Sequence, residues 1–176
     1  MNKPNAENVA RLILEAPIGQ YIGEEGAAVL AQQAAREMTL EDGEFLYRAG
    51  DIANSFYIVT EGRLAFCREN KSSGKINLLH TLHQGDLIGE LSFIDGEPRS
   101  ISVQSIGSAR LLCFDRDSID PLITSHPKLV FDFMRAVVKR VHHTVAAIGQ
   151  QQAELADYIA TGGKGVTKRD LPDMKH

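Results

Sequence analysis

The stretch that decides the fold is SFYIVTEGRLAFCREN, Ser55 to Asn70. Two runs rich in Phe, Tyr, Ile, Val and Leu flank Glu61–Gly62, and a glycine break between alternating apolar runs is a hairpin signal. The same texture recurs on either side, in MTLEDGEFLYRAGD (38–51), KINLLHTLHQGD (75–86) and SISVQSIGSARLLCFD (100–115). Turn residues return about every eight to twelve positions, the spacing of an antiparallel β-sandwich or β-roll.

Outside this region the period is helical. ENVARLILEA puts Val9, Leu12 and Ile13 on one face before Pro17 breaks it. A second helix is expected over Gly23–Arg36, with Ala27, Leu30 and Ala31 inward and Ala34 close by. A short one is expected over Ser118–Thr124. A long one follows from Pro127 to Ala160, with proline at its first turn. On it Val130, Met134, Val137, Val141, Val145, Ile148, Leu155 and Ile159 recur at spacings of three and four, with Gln152 in the gap. That seam resembles a coiled-coil face. Its first half is expected to pack on the roll, and its second half to meet the same helix of a second copy, forming a homodimer. The last stretch, TGGKGVTKRDLPDMKH, has no apolar period and reads as disordered. The expected divisions are N-terminal helices (1–37), roll (38–126), long helix (127–160) and tail (161–176).

The bulk numbers exclude several classes. A chain of 176 residues with 43% hydrophobic and 24% charged residues suits one globular domain, alone or with an appendage. Its net charge of −4 argues against a dedicated nucleic-acid binder. Cys67 and Cys113 lack CxxC spacing and read as reduced core thiols. The N-terminus carries Glu7 and Glu15 where a secretory signal needs an apolar core, and no apolar run reaches membrane-spanning length. The expected location is the cytoplasm, without membrane contact.

The chemistry concentrates in GELSFIDGEPRS, Gly89 to Ser100. A glycine before a carboxylate lets backbone N–H groups approach a ligand. A helical turn over Leu91–Asp95 would aim further N–H groups at the same spot. Arg99 supplies a planar, permanently charged fork matched to phosphate oxygens, and Ser100 a hydroxyl. Glu90 is suited to a sugar hydroxyl. One carboxylate and one arginine together describe a nucleotide with a single phosphate. The competing reading of the same residues is a structural Glu90–Arg99 ion pair under a surface turn.

GDLIGELSFIDGEPRSISV resembles the phosphate-binding cassette of cyclic-nucleotide-binding domains, the β-roll of the bacterial catabolite activator and of cAMP-dependent kinase regulatory subunits. GDIANSFYIVTEGRLAF is similar to that family's earlier hairpin in Gly50, Asp51, Tyr57, Ile58 and Gly62, and Gly85–Asp86 repeats its turn. The resemblance covers about Met38 to Ala160. It implies a mostly β fold with helices: a double-stranded, jelly-roll-like antiparallel β-roll flanked by N-terminal helices and a long C-terminal helix. It also implies that Gly89 and Leu91 lend backbone to the ligand, that Glu90 holds the ribose 2′-hydroxyl, and that Arg99 and Ser100 grip the cyclic phosphate. Leu79 and Leu82 would wall the pocket, Arg140 would brace Glu90, and Thr144 would lie near the base. Val145 stands where the bacterial activator has a second hydroxyl that reaches across the dimer. Ser100 after Arg99 favours cAMP over cGMP as ligand.

Other chemistries find little support. His80 and His83 are three apart in an expected strand and face opposite sides, while His142 and His143 diverge on a helix. No metal site, catalytic residue or cofactor is therefore expected, and a metal-dependent cupin-like enzyme is the weakest alternative. GGKG lacks P-loop spacing. Lys164, Lys168 and Arg169 read as a solvated basic tail, and no helix-turn-helix follows the long helix, so no direct DNA binding is expected. The reading is a non-enzymatic sensor that repositions its long helix and acts on an unidentified protein partner. The alternative is the effector half of a Crp/Fnr-type transcriptional regulator.

Overall fold

The computed structural model describes residues 5–33, 36–70 and 74–160. Ala34 and the tail at 161–176, with the expectations attached to them, lie outside the described residues. Chain contacts divide the molecule after Val137 into two units.

Two long strands build the first unit. β3 (Ser55–Glu69) and β6 (Ser102–Asp115) run antiparallel, with Ser55 opposite Asp115 and Cys67 opposite Ser102. β1 (Arg36–Leu40) lies on the Ala109–Cys113 end of β6, and β5 (Leu87–Ile88) on the Tyr57–Ile58 end of β3. At the other end β2 (Phe45–Tyr47) joins Val103–Gln104 of β6, and β4 (Ile76–Leu82) joins Leu64–Glu69 of β3. The long strands thus pass from one layer into the other, which makes the antiparallel roll expected from the sequence.

Glu61–Gly62 does not close a hairpin. β3 runs through it unbroken, and its register on β6 slips between Val59 and Glu61 and again between Glu61 and Arg63. Gly62 has φ of 79°, and a Cβ there would lie 2.3 Å from the carbonyl oxygen of Ser108. The glycine therefore serves a bulge that bends the strand, in place of a turn.

Both faces of the long strands are covered, so Ser55–Val59 and Leu111–Phe114 read as continuous apolar runs. Phe56, Ile58, Leu112 and Phe114 face the helices α1 (Ala6–Glu15), α2 (Gly19–Gln33) and the first turns of α6 (Pro127–Ala160). Tyr57, Val59, Leu111 and Cys113 face the interior of the roll with Leu64, Leu82 and Ile88. Phe56 is a hub, its ring 4.8 Å from Phe114, 5.1 Å from Phe93 and 5.2 Å from Phe133.

The Asn5 side chain caps α1 by accepting the Glu7 N–H at 3.0 Å. α2 starts at Gly19, before the expected Gly23, because Gly23 (φ 66°) is a break inside it; Arg36 opens β1 instead of ending the helix. Pro121 splits the expected short helix into α4 (Arg116–Ile119) and α5 (Leu122–Ser125). α6 has its expected bounds, but its apolar positions divide. Leu129, Phe133, Ala136 and Val137 are buried in the roll-side core and Val130 is partly buried there, whereas Phe131 and Met134 are exposed. Val130 and Val137 thus pack on the roll, as expected of the first half of the helix, while Met134 does not.

The second unit, described over residues 138–160, is the remainder of α6. Val138, Val145, Ile148, Leu155, Tyr158 and Ile159 are exposed along it. Among the described residues no helix is long and apolar enough to cross a membrane.

Candidate functional site

The site forms where β5 runs into a short helix, α3 (Glu90–Asp95). Gly89 caps α3 with φ of 76°, a left-handed conformation that disfavours side chains. The missing side chain also makes room, since a Cβ on Gly89 would lie 2.2 Å from Nη1 of Arg99.

The Gly50–Asp51 turn clamps the far end of the cassette. The Arg99 N–H donates to Asp51 O at 2.9 Å, and the Gly50 N–H donates to Arg99 O at 2.8 Å. The Asp51 carboxylate accepts the Arg48 N–H at 2.8 Å, and Ser102 Oγ accepts the Ala49 N–H at 2.9 Å.

With its backbone clamped, the Arg99 side chain points inward and is only 4% exposed. Nη1 donates to Gly89 O at 2.7 Å and Nη2 to Ser55 O at 2.5 Å. Cζ lies 4.3 Å from the centroid of the Tyr47 ring. A buried charge is costly unless dipoles replace water; two carbonyls and an aromatic face do so here. Both terminal nitrogens of the fork thus rest on main-chain oxygens. Nε is buried without a hydrogen-bond partner among the described residues. Nε–H is thus one donor of the guanidinium that an incoming anion could take, and it fits a phosphate oxygen.

A cavity of about 90 Å³ is walled in part by Arg99. Its walls bring together the expected Gly89, Glu90, Leu91, Arg99 and Ser100, and add Tyr47, Phe66, Ser92 and Ile101. Glu90 is buried, 6% exposed, at the first position of α3. Tyr47 and Phe66 come from β2 and β3, so only closure of the roll brings them to the cassette; their one sequence signal is an aromatic side chain beside a glycine–aspartate turn or in a long strand. Burial pushes the Tyr47 phenol well above its ordinary value, opposed by the Arg99 charge and reinforced by Glu90.

The remaining expected residues are not among those that line this cavity. Leu82 is 1% exposed and belongs to the interior core, and Leu79 is 53% exposed. Phe66 pairs with His80 and Cys67 with Leu78, so Leu79 is the extra residue of a bulge. Arg140 and Thr144 belong to the second unit, where Thr144 Oγ donates to the Arg140 carbonyl at 3.0 Å.

A larger cavity of about 150 Å³ lies behind α3, walled by Phe56, Phe93, Leu129 and Phe133. It offers an anion only Arg116, already engaged with Asp120 at 3.7 Å and with the Phe93 carbonyl. No group of three or more His, Cys, Asp or Glu side chains among the described residues is placed to hold a metal.

The family model of the cyclic nucleotide-binding domain matches residues 37–126, half of the chain. A lysophospholipase NTE1 of Cryptococcus neoformans is 35% identical over 107 residues, which are 60% of this chain and 6% of that protein. A CRP-like cAMP-activated global transcriptional regulator of Mycobacterium tuberculosis is 26% identical over 160 residues, 91% of this chain and 67% of the regulator. The N-terminal domain of a Streptomyces coelicolor transcriptional regulator superposes with a TM-score of 0.64 at 28% identity, covering 76% of this chain and 94% of that one. The chain thus spans a small part of the lysophospholipase and about two thirds of the mycobacterial regulator.

Proposed function

The chain belongs to the cyclic nucleotide-binding domain family, and from that premise we propose that it is a non-catalytic cAMP sensor that signals through α6. The observation that carries the reading is a buried arginine with Nε unpaired beside a cavity that Glu90 also lines. Arg99 and Ser100 take the cyclic phosphate, Glu90 takes the ribose 2′-hydroxyl, and Gly89 and Leu91 contribute backbone. Leu79 and Leu82 flank the pocket, and Arg140 and Thr144 serve the base side in the bound state. cAMP is favoured over cGMP by Ser100 and by the likeness to the cAMP-activated mycobacterial regulator. Two free, buried cysteines suit a reducing compartment, the cytoplasm.

The proposed signal is a population shift driven by contacts that differ between the free and bound states. α3 carries Glu90 on the cavity side and Phe93 on the other, and Phe93 touches Phe56, which touches Phe133 of α6. A ligand that re-seats α3 therefore acts on the first turns of α6. The exposed face of the later turns serves a homodimer, whose output passes to a protein partner. A second reading, the effector half of a Crp/Fnr-type regulator, is favoured by the 160-residue match to the mycobacterial protein.

Calorimetry on Arg99→Ala tests the assignment. Loss of a charge-assisted fork is expected to weaken cAMP binding by about 3 kcal/mol or more, roughly a hundredfold. The variant also strands two buried carbonyls, so its urea midpoint is recorded alongside. Wild-type affinity in a folded variant rejects the reading. A thermal-shift panel of cAMP, cGMP and AMP assigns the ligand, since a binder of the folded state raises stability by about 2.7 kcal/mol at a hundredfold excess over Kd.

A further inference from the structure

Beneath the buried charge lies a residue that the chemistry above uses only as a wall. Tyr47 is 9% exposed, and its ring sits 4.3 Å from Cζ of Arg99 and 6.3 Å from the Tyr57 ring. Tyr57 in turn is fixed by the Ser55 hydroxyl, which donates to its phenol oxygen at 2.8 Å. The aromatic pair is therefore a packed support under the guanidinium.

Two hydrogen bonds do not immobilise a planar group. The bonds from Nη1 to Gly89 O and from Nη2 to Ser55 O fix the two terminal nitrogens. They leave the plane free to rock about the line joining those nitrogens, and rocking swings Nε. A third contact on the face of the plane removes that freedom, and the Tyr47 ring is that contact. Stacking of a guanidinium on an aromatic face is strongest where water is excluded, as it is here. Burial also keeps the phenol protonated, so no phenolate competes with an anion for Arg99.

We propose that Tyr47 is a positioning residue of the anion site: its aromatic face sets the tilt of the Arg99 guanidinium and so aims Nε at one of the two exocyclic oxygens of a cyclic phosphodiester. The proposal rests on the cyclic-nucleotide reading of the cavity. It goes further by naming what fixes the stereochemistry of phosphate recognition.

The two phosphorothioate diastereomers of cAMP, each with sulfur at one exocyclic position, read that aim directly, because sulfur accepts hydrogen bonds poorly. Wild-type protein is expected to prefer one diastereomer. Tyr47→Phe, which keeps the face and loses the hydroxyl, is expected to keep the ratio of the two Kd values. Tyr47→Leu is expected to lower that ratio at least about fivefold and cAMP affinity about tenfold. The penalty for 2′-deoxy-cAMP, which reads Glu90, should stay as in wild type. If Tyr47→Leu does not fold, Tyr47→Met carries the same comparison.

A wild-type ratio in Tyr47→Leu overturns the proposal and leaves the cyclic-nucleotide reading standing. Equal collapse of the ratio in Tyr47→Phe also overturns it, since the hydroxyl would then be the working group. Parallel loss of the 2′-deoxy penalty overturns it as general damage to the site. Wild-type protein that binds no cyclic nucleotide overturns both readings together.

Discussion

Nη1 of Arg99 lies 2.7 Å from the carbonyl oxygen of Gly89, in space that a side chain on Gly89 would fill. Residue 89 therefore bears two separate demands for glycine, a φ of 76° and a contact of 2.2 Å. Gly89→Ala is expected to cost about 1–2 kcal/mol in backbone strain alone, read as a lower urea midpoint. It should also displace Arg99 and weaken cAMP at least about tenfold in calorimetry. Unchanged midpoint and affinity would show that the guanidinium is seated elsewhere.

Cys113 should behave as a sealed thiol. Burial foremost, then the Asp115 carboxylate, push its pKa up from 9.0 to about 11, against the pull of Arg36. Unfolded, the thiol ionises near 9.0 and folded only near 11. In between, the unfolded chain alone gains by losing the proton. This part of the stability is thus full below about 9 and falls as pH rises towards about 11. Urea midpoints at about pH 8 and pH 10.5 should differ less in Cys113→Ala than in wild type, and an equal difference would refute the assignment. The native thiol should also ignore Ellman's reagent at about pH 8 until the chain unfolds.

The exposed face of the second unit makes its own demand. Val138, Val145, Gln152 and Ile159 recur every seven residues, and Val141, Ile148 and Leu155 recur between them. β-branched residues in the first set suit a parallel two-stranded coiled coil, with Gln152 as the polar residue that sets register. Ile148→Asp is expected to turn a sedimenting dimer into a monomer with ligand affinity retained. Gln152→Leu should tighten association. A wild-type monomer at every concentration would remove the dimer.

How much of this is legible in the sequence depends on how local each feature is. The cassette is readable because Gly89, Glu90, Arg99 and Ser100 lie within one short stretch, and the roll because its long strands are apolar on both faces. The bulge at Gly62 is not, since a glycine of positive φ serves a turn as well as a bulge. What decides is that β6 is long enough to pair with both halves of β3, which lies far down the chain. Tyr47 and Phe66 stay hidden for the same reason. On the helix, spacings of three and four fit two neighbouring faces, and only burial shows where the roll-packed half ends, with Val137 in the core and Val138 on the surface.

Both anchors of the Arg99 fork are peptide oxygens, and every amino acid carries one. Ser55→Ala would sever the hydroxyl bond to Tyr57 but leave the oxygen that holds Nη2 where it is. The position of the two ends of the fork is thereby written into the course of the main chain, so point changes at residue 55 leave both anchors in place while any shift of the β3 backbone would move one of them.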